Sequence, residues 1–307
     1  MKYLRKILKE PEMAGIYFMV LTARLWPAEL YLKFYYYLHL HEWPNLKHPR
    51  NFTEKLNWLK LHDRNPLYTK LADKCEVKKY VEEKIGSDKV ILLLGVWDRF
   101  DEIDFNQLPD QFVLKCTHDS GGFRICKDKT NFDQKEARRF FDKELRKNFY
   151  WNKREWVYKD IKPRIIAEPY IDSLGKPESI EYKLTCMNGV CKVFTLCTGI
   201  AHSDFELRTN DHYDRDFNHL PWYAFYKNSK KPVKLPPQAN EMIEYAEKLS
   251  EGIPQVRVDF YVINDKVYFG EMTFYTWAGM IEFTPPEWND IMGSWLELKT
   301  DNAQNQY

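Results

Sequence analysis

Arg257, Asp259, Glu271 and Thr273 carry the clearest capacity for chemistry in this chain, and they lie in one stretch. Residues 256–263 alternate in the period of a β-strand, Asn264-Asp265-Lys266 supplies turn chemistry, and residues 267–273 return with the same alternation. That pattern predicts a β-hairpin. A three-residue turn over 264–266 sets Asp259 opposite Glu271 and Arg257 opposite Thr273. One face then presents two carboxylates, a guanidinium and a hydroxyl. Carboxylates directly opposite each other destabilise a strand pair unless a cation lies between them, and hard divalent ions such as Mg²⁺ take carboxylate oxygens. A metal site is the functional reading; a half-exposed hairpin with its charges in water is the competing one. Register decides between them, because a two-residue Asn-Asp turn would send Asp259 and Glu271 to opposite faces.

Other pieces of chemistry stand at the ends of apolar runs. The run 112–116 ends in Lys115-Cys116 and opens into Thr117-His118-Asp119-Ser120-Gly121-Gly122. Exposed N–H groups of such a loop and a lysine charge suit phosphate oxygens, although a Ser-Gly-Gly turn is equally a plain turn. The run Ile165-Ile166-Ala167-Glu168-Pro169-Tyr170-Ile171 holds a lone carboxylate that would be costly unpaired. Either a ligand donor, such as an adenine amino group or a ribose hydroxyl, or a nearby Lys or Arg must satisfy Glu168. Glu181-Tyr182-Lys183 puts opposite charges on one face of another strand, where a cross-strand ion pair is the plain alternative to a binding role.

The elements that position these groups follow from periodicity and breakers. Residues 1–43 read as helical and unusually aromatic, to be covered by the main body or used as an acceptor-binding or membrane-interface surface. Thr53 is the expected N-cap of a helix with Leu56, Leu59 and Leu61 on its apolar side. A charged helix over 73–84 leads to a buried strand at 90–95, and a second helix covers 133–147. Strands follow over 164–170, 180–186 and 190–197, the last two joined by an Asn188-Gly189 hairpin turn. Residues 200–235 read as a long polar loop, and 238–251 as an amphipathic helix. The fold class is α/β, built as α+β lobes.

A chain of 307 residues with net charge +1 can bury a sizeable core and shows no global preference for polyanions, so no nucleic-acid partner is expected. The 16% aromatic content favours packed grooves and ring-shaped ligands. The six cysteines form no CxxC pair and sit in apolar or strand-like runs, which argues for buried, reduced thiols. No signal-peptide pattern opens the chain, and Arg24 and Glu29 interrupt the apolar segment 13–20 before it could span a bilayer. A cytoplasmic protein is expected, with a peripheral contact to the inner face of the membrane as an option for the N-terminal helices.

The order of these signals resembles the ATP-grasp superfamily. The runs Asn51-Phe52-Thr53-Glu54-Lys55-Leu56, Leu71-Ala72-Asp73-Lys74, Phe112-Val113-Leu114-Lys115-Cys116-Thr117-His118, Arg164-Ile165-Ile166-Ala167-Glu168 and Glu181-Tyr182-Lys183 are similar to its TupA-like, teichuronopeptide-biosynthesis group. The resemblance covers residues 45–298 and implies an ATP-grasp fold with nucleotide held between two α+β lobes. It divides the chain into a helical segment 1–50, a pre-ATP-grasp lobe 51–110, a lid lobe 111–170, a catalytic lobe 171–298 and a polar tail 299–307. ATP and Mg²⁺ are the implied cofactors. Lys74 and Lys115 resemble the lysines that contact nucleotide phosphates, and Ser120, Gly121 and Gly122 the phosphate-covering loop. Glu168, with Tyr170 beside it, resembles the hinge next to adenine, Glu181 the ribose-holding acid, and Lys183 a position near phosphate or acceptor. Arg257 resembles the phosphate-stabilising arginine, while Asp259, Glu271 and Thr273 resemble the metal-holding positions. Thr273 stands where the wider superfamily has Asn, Glu181 where the group often has Asp, and Asp119 adds a negative charge to the phosphate loop.

The implied reaction is phosphoryl transfer from ATP to a carboxylate, then attack by an amine to give an amide, in bacterial surface-polysaccharide assembly. Its partners would be a carboxylate-bearing small molecule or glycan and an amine co-substrate, with a lipid-linked acceptor as an option. His202, Arg208, His212 and Trp222 are the candidate acceptor-binding residues. Two alternatives come from other classes. A glycosyltransferase would use an Asp-x-Asp pair at a strand end for a nucleotide sugar, and Asp214-Arg215-Asp216 has that spacing but lies in a stretch that reads as polar loop. A non-catalytic polysaccharide-binding scaffold would need none of Lys115, Arg257, Asp259 and Glu271.

Overall fold

The alternating runs become two antiparallel sheets. The computed structural model describes residues 11–299 except 120, 177, 203 and 232. Calls on residues 1–10, on Ser120 and on the tail from 300 onward lie outside the described residues. Strands β1 (Gly95–Trp97), β2 (Phe112–Cys116), β3 (Phe123–Cys126) and β4 (Ile165–Pro169) form the smaller sheet, in the order β1-β4-β2-β3. Strands β5 (Ile180–Met187), β6 (Val190–Thr198), β7 (Thr209–Tyr213), β8 (His219–Leu220), β9 (Gln255–Ile263) and β10 (Lys266–Thr273) form the larger one, in the order β10-β9-β5-β6-β7-β8.

Around them lie α1 (Pro11–Leu21), α2 (Ala28–Leu40), α3 (Phe52–His62), α4 (Leu67–Ala72), α5 (Glu76–Ile85), α6 (Gln134–Glu144), α7 (Tyr150–Lys153), α8 (Ala239–Leu249) and α9 (Trp288–Trp295). Helix α8 buries Ala239, Met242, Ile243, Ala246 and Leu249, the spacing of one helical face, in the core shared with Leu184, Phe194, Leu196, Val256, Val258 and Phe260. Helix α6 contributes Ala137 and Phe141 to a separate core with Phe112 and Leu114 of β2. The aromatic N-terminal helices pack through Tyr31, Tyr35 and Tyr36 against Met19 and Met280. Buried Arg154 pins them, its guanidinium set over the Tyr31 ring while Nη2 donates to the carbonyls of Ala23 and Trp26. Phe18, Leu21 and Leu25 of this region stand exposed, and no described helix is long and apolar enough to cross a membrane.

Four local expectations need correction. Asn51, not Thr53, caps α3: its side chain accepts from the Glu54 N–H while Glu54 reaches back, so the capping-box spacing selects Asn51. Thr53 is buried instead, its hydroxyl bonded to Tyr36 and Asn289. The strand expected at 90–95 lies at 95–97, because the chain joins the open edge of β4 only from Leu94 onward, where the Leu94 N–H donates to the Ala167 carbonyl; Leu92 is 69% exposed. The stretch 200–235 is not all loop, since β7 and β8 extend the larger sheet beyond β6.

The fourth concerns the hairpin. Its turn has two residues, Asn264 and Asp265, both with positive φ (50° and 60°), and Lys266 already pairs with Ile263. This is the backbone of the two-residue turn that suits a twisted hairpin. Asp259 nevertheless faces Glu271 and Arg257 faces Thr273, because a bulge between Phe269 and Glu271 inserts the extra residue at Gly270. A Cβ on Gly270 would approach the Tyr261 ring to 2.9 Å and the Asp259 carbonyl oxygen to 3.1 Å. Glycine thus permits the bulge that restores the face lost at the turn.

Candidate functional site

The larger sheet has one apolar and one polar face, and the polar face is largely covered. Leu184, Phe194, Leu196, Val258 and Phe260 point into the core. On the other face, paired residues form a single rung across five strands: Glu271 opposite Asp259, Asp259 opposite Lys183, Lys183 opposite Thr195, and Thr195 opposite His212. The neighbouring rung sets Thr273 opposite Arg257 and Arg257 opposite Thr185. This face, together with the chain around Lys74, Asp119, Glu155 and Tyr158, lines a cavity of about 460 Å³.

At the hairpin the charges are closely matched. Arg257 grips Asp259 in a fork, Nε to Oδ1 at 2.6 Å and Nη2 to Oδ2 at 2.7 Å, and Lys183 Nζ donates to Oδ2 at 2.9 Å. Lys183 also pairs with Glu181 at 2.7 Å. Arg257 Nη2 extends to Glu271 Oε1 at 3.2 Å and to Thr273 Oγ1 at 3.0 Å, and the threonine hydroxyl lies 3.2 Å from the same Glu271 oxygen. Burial alone would raise the Asp259 pKa, but Arg257 and Lys183 outweigh it and hold the carboxyl below its ordinary range. Burial likewise opposes the charge on Lys183, yet Asp259 keeps its pKa raised.

The loop after β2 is shaped by a buried acid. Lys74 Nζ donates to the Asp119 carbonyl and stands 3.9 Å from its carboxylate. Burial raises the Asp119 pKa, with Lys74 opposing. A Cβ on Gly122 would fall 1.9 Å from Asp119 Oδ2, and Gly121 has a φ of +92°, so both glycines are required by this loop's geometry. Glu168 is satisfied by lysines: Lys115 at 2.5 Å and Lys78 at 2.7 Å. Although burial opposes it, the pair keeps the Glu168 pKa lowered. The cation alternative for this carboxylate is therefore what the fold contains.

Of the expected residues, Lys74, Glu181, Lys183, Arg257, Glu271, Thr273, His212 and Trp222 line the cavity, and Asp259 lies directly behind it in the same rung. Lys115, Glu168 and Tyr170 do not line it; Tyr170 stands outside with Lys127 over its ring. The four acceptor candidates separate. His212 and Trp222 are buried and stacked, centroids 3.7 Å apart, rather than displayed on a loop. Burial lowers the His212 pKa to about 3. Arg208 does not itself line the cavity: its guanidinium donates to the His202 carbonyl, lies over the Phe205 ring and reaches the hydroxyl of Tyr226, a cavity-wall residue, at 3.4 Å.

Residues not singled out from sequence complete the walls. Glu155 and Tyr158 line the cavity within the stretch between α7 and β4, where no periodic pattern drew attention. Lys78, in the first turn of α5, supplies the second cation of Glu168.

The donor set fits a nucleotide with a hard divalent ion. Glu271 and Thr273 present oxygens to the cavity, where the Glu271 side chain is 41% exposed, while the Asp259 oxygens on the same face are taken up by Arg257 and Lys183, which a metal ion would have to displace. Among the described residues no group of three or more His, Cys, Asp or Glu is placed to hold a metal ion. Lys74, Lys183 and Arg257 add cations around the same space.

The TupA-like ATPgrasp family model matches residues 54–297. No curated protein matches the chain. Among solved structures, D-alanine–D-alanine ligase from Bacillus anthracis complexed with ATP is 15% identical, over 66% of this chain and 55% of that one, with a TM-score of 0.38. A RimK domain protein ATP-grasp from Sphaerobacter thermophilus is 12% identical, over 75% and 69%, with a TM-score of 0.40. Phosphoribosylamine–glycine ligase from Thermotoga maritima is 13% identical, over 68% and 49%, with a TM-score of 0.39. The chain thus spans about half of the first and third of these, and likeness at this level carries no residue-level argument.

Proposed function

Because the chain belongs to the TupA-like ATP-grasp family, matched over residues 54–297, we propose that it is an ATP-dependent carboxylate–amine ligase. The observation that carries this reading is the charged rung Glu271–Asp259–Lys183 with Arg257 at its side, on the covered polar face of the sheet. ATP with Mg²⁺, when bound, supplies a phosphoryl group that activates a substrate carboxylate for attack by an amine. Asp259, Glu271 and Thr273 are the residues to hold the metal. Lys183 and Arg257 are the fixed cations to offset phosphate charge, held in place by Asp259 before any ligand arrives, and Lys74 is a further cation at the cavity wall. Lys115, paired with Glu168, would contribute from the smaller sheet, with the backbone of Gly121 and Gly122 beside it. No side-chain nucleophile is called for.

We place the reaction in the assembly of bacterial surface polysaccharide, on the family resemblance and on a cavity walled by Trp222, Tyr226, Trp277 and Phe283, which suits a ring-shaped acceptor. The Asp-x-Asp spacing at 214–216 does not support the glycosyltransferase alternative. Asp214 accepts from the N–H groups of Asp216 and Asn218, and Arg215 pairs with Glu247.

The test is calorimetry with Mg²⁺, comparing ATP with UDP-sugars on the wild type and on Asp259→Asn/Glu271→Gln. Magnesium-dependent ATP binding that the double variant loses is expected. A preference for a UDP-sugar would favour the transferase, and no nucleotide binding would favour the scaffold.

A further inference from the structure

One acid of the cavity wall has surroundings unlike those of the hairpin. Glu155 lines the cavity and is only 8% exposed. Among the described residues no side chain or backbone N–H bonds to its carboxylate, and no Lys or Arg nitrogen comes within ion-pairing distance, 4.0 Å. Its side chain does not cap the turn Trp156–Tyr158 that it precedes. Lys60 and Lys153 are the cations whose charge acts on it. Lys60 Nζ, however, is committed to Asn57 Oδ1 at 3.1 Å and the Ala278 carbonyl at 2.5 Å, and Lys153 is an exposed residue at the cavity wall.

The backbone holds Glu155 where it is. Arg154 before it is buried and anchored in the N-terminal aromatic cluster, and Val157 after it is buried in the main core. A buried carboxylate without a partner is costly, and a protein keeps one where a ligand completes it. Tyr158 lines the same cavity as Glu155, Glu271 and Arg257.

We propose that Glu155 binds the protonated amine of the acceptor, an alkylammonium group, and accepts one of its protons to release the free amine. The proton moves from nitrogen to a carboxylate oxygen, so the ammonium becomes a neutral amine with its lone pair exposed and Glu155 becomes a neutral acid. Burial raises the Glu155 pKa, which suits a base that must be ionised to bind and must keep the proton once taken. The inference rests on the ligase reading for the amine's role, but ammonium binding can be measured without it.

The probes are propylammonium, 1-propanol and propionate, titrated by saturation-transfer NMR against the full chain. Propylammonium is expected to bind the wild type saturably, to weaken about tenfold in Glu155→Gln, as for loss of a charge-assisted hydrogen bond, and to be partly retained in Glu155→Asp. 1-Propanol should bind both proteins equally weakly, and matched thermal melts exclude a folding effect. Equal propylammonium binding by Glu155→Gln overturns the proposal. So does 1-propanol or propionate binding the wild type as tightly as propylammonium, or no probe binding at all. ATP calorimetry on the same samples separates the readings: ATP binding unchanged in Glu155→Gln leaves the ligase reading intact whatever the amine probes show. Loss of ATP binding in the wild type would sink that reading while leaving ammonium capture standing.

Discussion

Asp259 and Glu155 are two buried acids beside one cavity, and they are treated in opposite ways. Asp259 has both oxygens filled, by an arginine fork and a lysine, and its pKa is lowered despite burial. Glu155 has no bonded partner among the described residues, and burial leaves its pKa raised. The difference teaches what each is built for. A carboxylate saturated by fixed cations is a preassembled charge array, which trades part of its binding potential for order before ligand arrives. A carboxylate left unsatisfied gives up stability and keeps its affinity for a ligand.

The comparison is broken hardest at Arg257. Arg257→Leu removes the fork, leaves Asp259 buried with Lys183 alone, and should cost ~3–5 kcal/mol, as for a buried pair that loses one partner. Urea denaturation measures it, and a cost below about 1 kcal/mol would show that Asp259 is not dependent on its array. Next comes Gly270→Ala. The new methyl group must displace the Tyr261 ring or the Asp259 carbonyl, so a loss of ~1–3 kcal/mol is expected from overpacking. If the chain escapes by removing the bulge, Glu271 turns to the other face, and magnesium-dependent ATP binding should fall far more than stability does. Thr273→Val is milder. It removes the hydroxyl between Arg257 and Glu271 and should cost ~1 kcal/mol, with the fork on Asp259 intact. A larger loss would mean that Glu271, not Asp259, is what orders the guanidinium.

How far these residues were legible in the sequence follows the same division. Strands β5 and β6 announce themselves by apolar alternation around Asn188-Gly189, and Asp259 was expected opposite Glu271, as found. The turn itself is one residue shorter than the pattern suggests, because a bulge at a glycine leaves no sequence signal distinct from a longer turn. Strand β7, Thr209-Asn210-Asp211-His212-Tyr213, reads as loop because its cavity face is polar and its other face carries Asp211, which accepts from Ser229. Its strand state comes from pairing with β6, a tertiary effect that propensity does not encode. Glu168 was legible as a carboxylate in need of a partner, but the choice between ligand and lysine depended on Lys78 in the first turn of α5. Glu155 was invisible, since its distinction is a missing partner, and that exists only once the surrounding side chains are placed.

The smallest effect, and the one opposite in sign, belongs to Glu155→Gln. Asp259, with its folded pKa held below the ordinary carboxyl value of 3.8, contributes stability above that value and loses it as pH falls through the folded pKa. Glu155 runs the other way. Its folded pKa lies above 4.5, so its charge costs stability above the folded pKa, and the cost fades as pH falls towards 4.5. Glutamine keeps the shape and removes the charge, so the variant should equal or exceed the wild type by up to ~1 kcal/mol at pH 7–8 and converge with it towards pH 4. Lys60 opposes this gain, because Glu155 offsets part of its burial, but its ammonium retains Asn57 and the Ala278 carbonyl. Thermal melts of both proteins across that range decide the matter. A Glu155→Gln variant that is clearly less stable at neutral pH would make Glu155 the counter-charge of Lys60, and the contrast with Asp259 would collapse into two versions of the same structural ion pair.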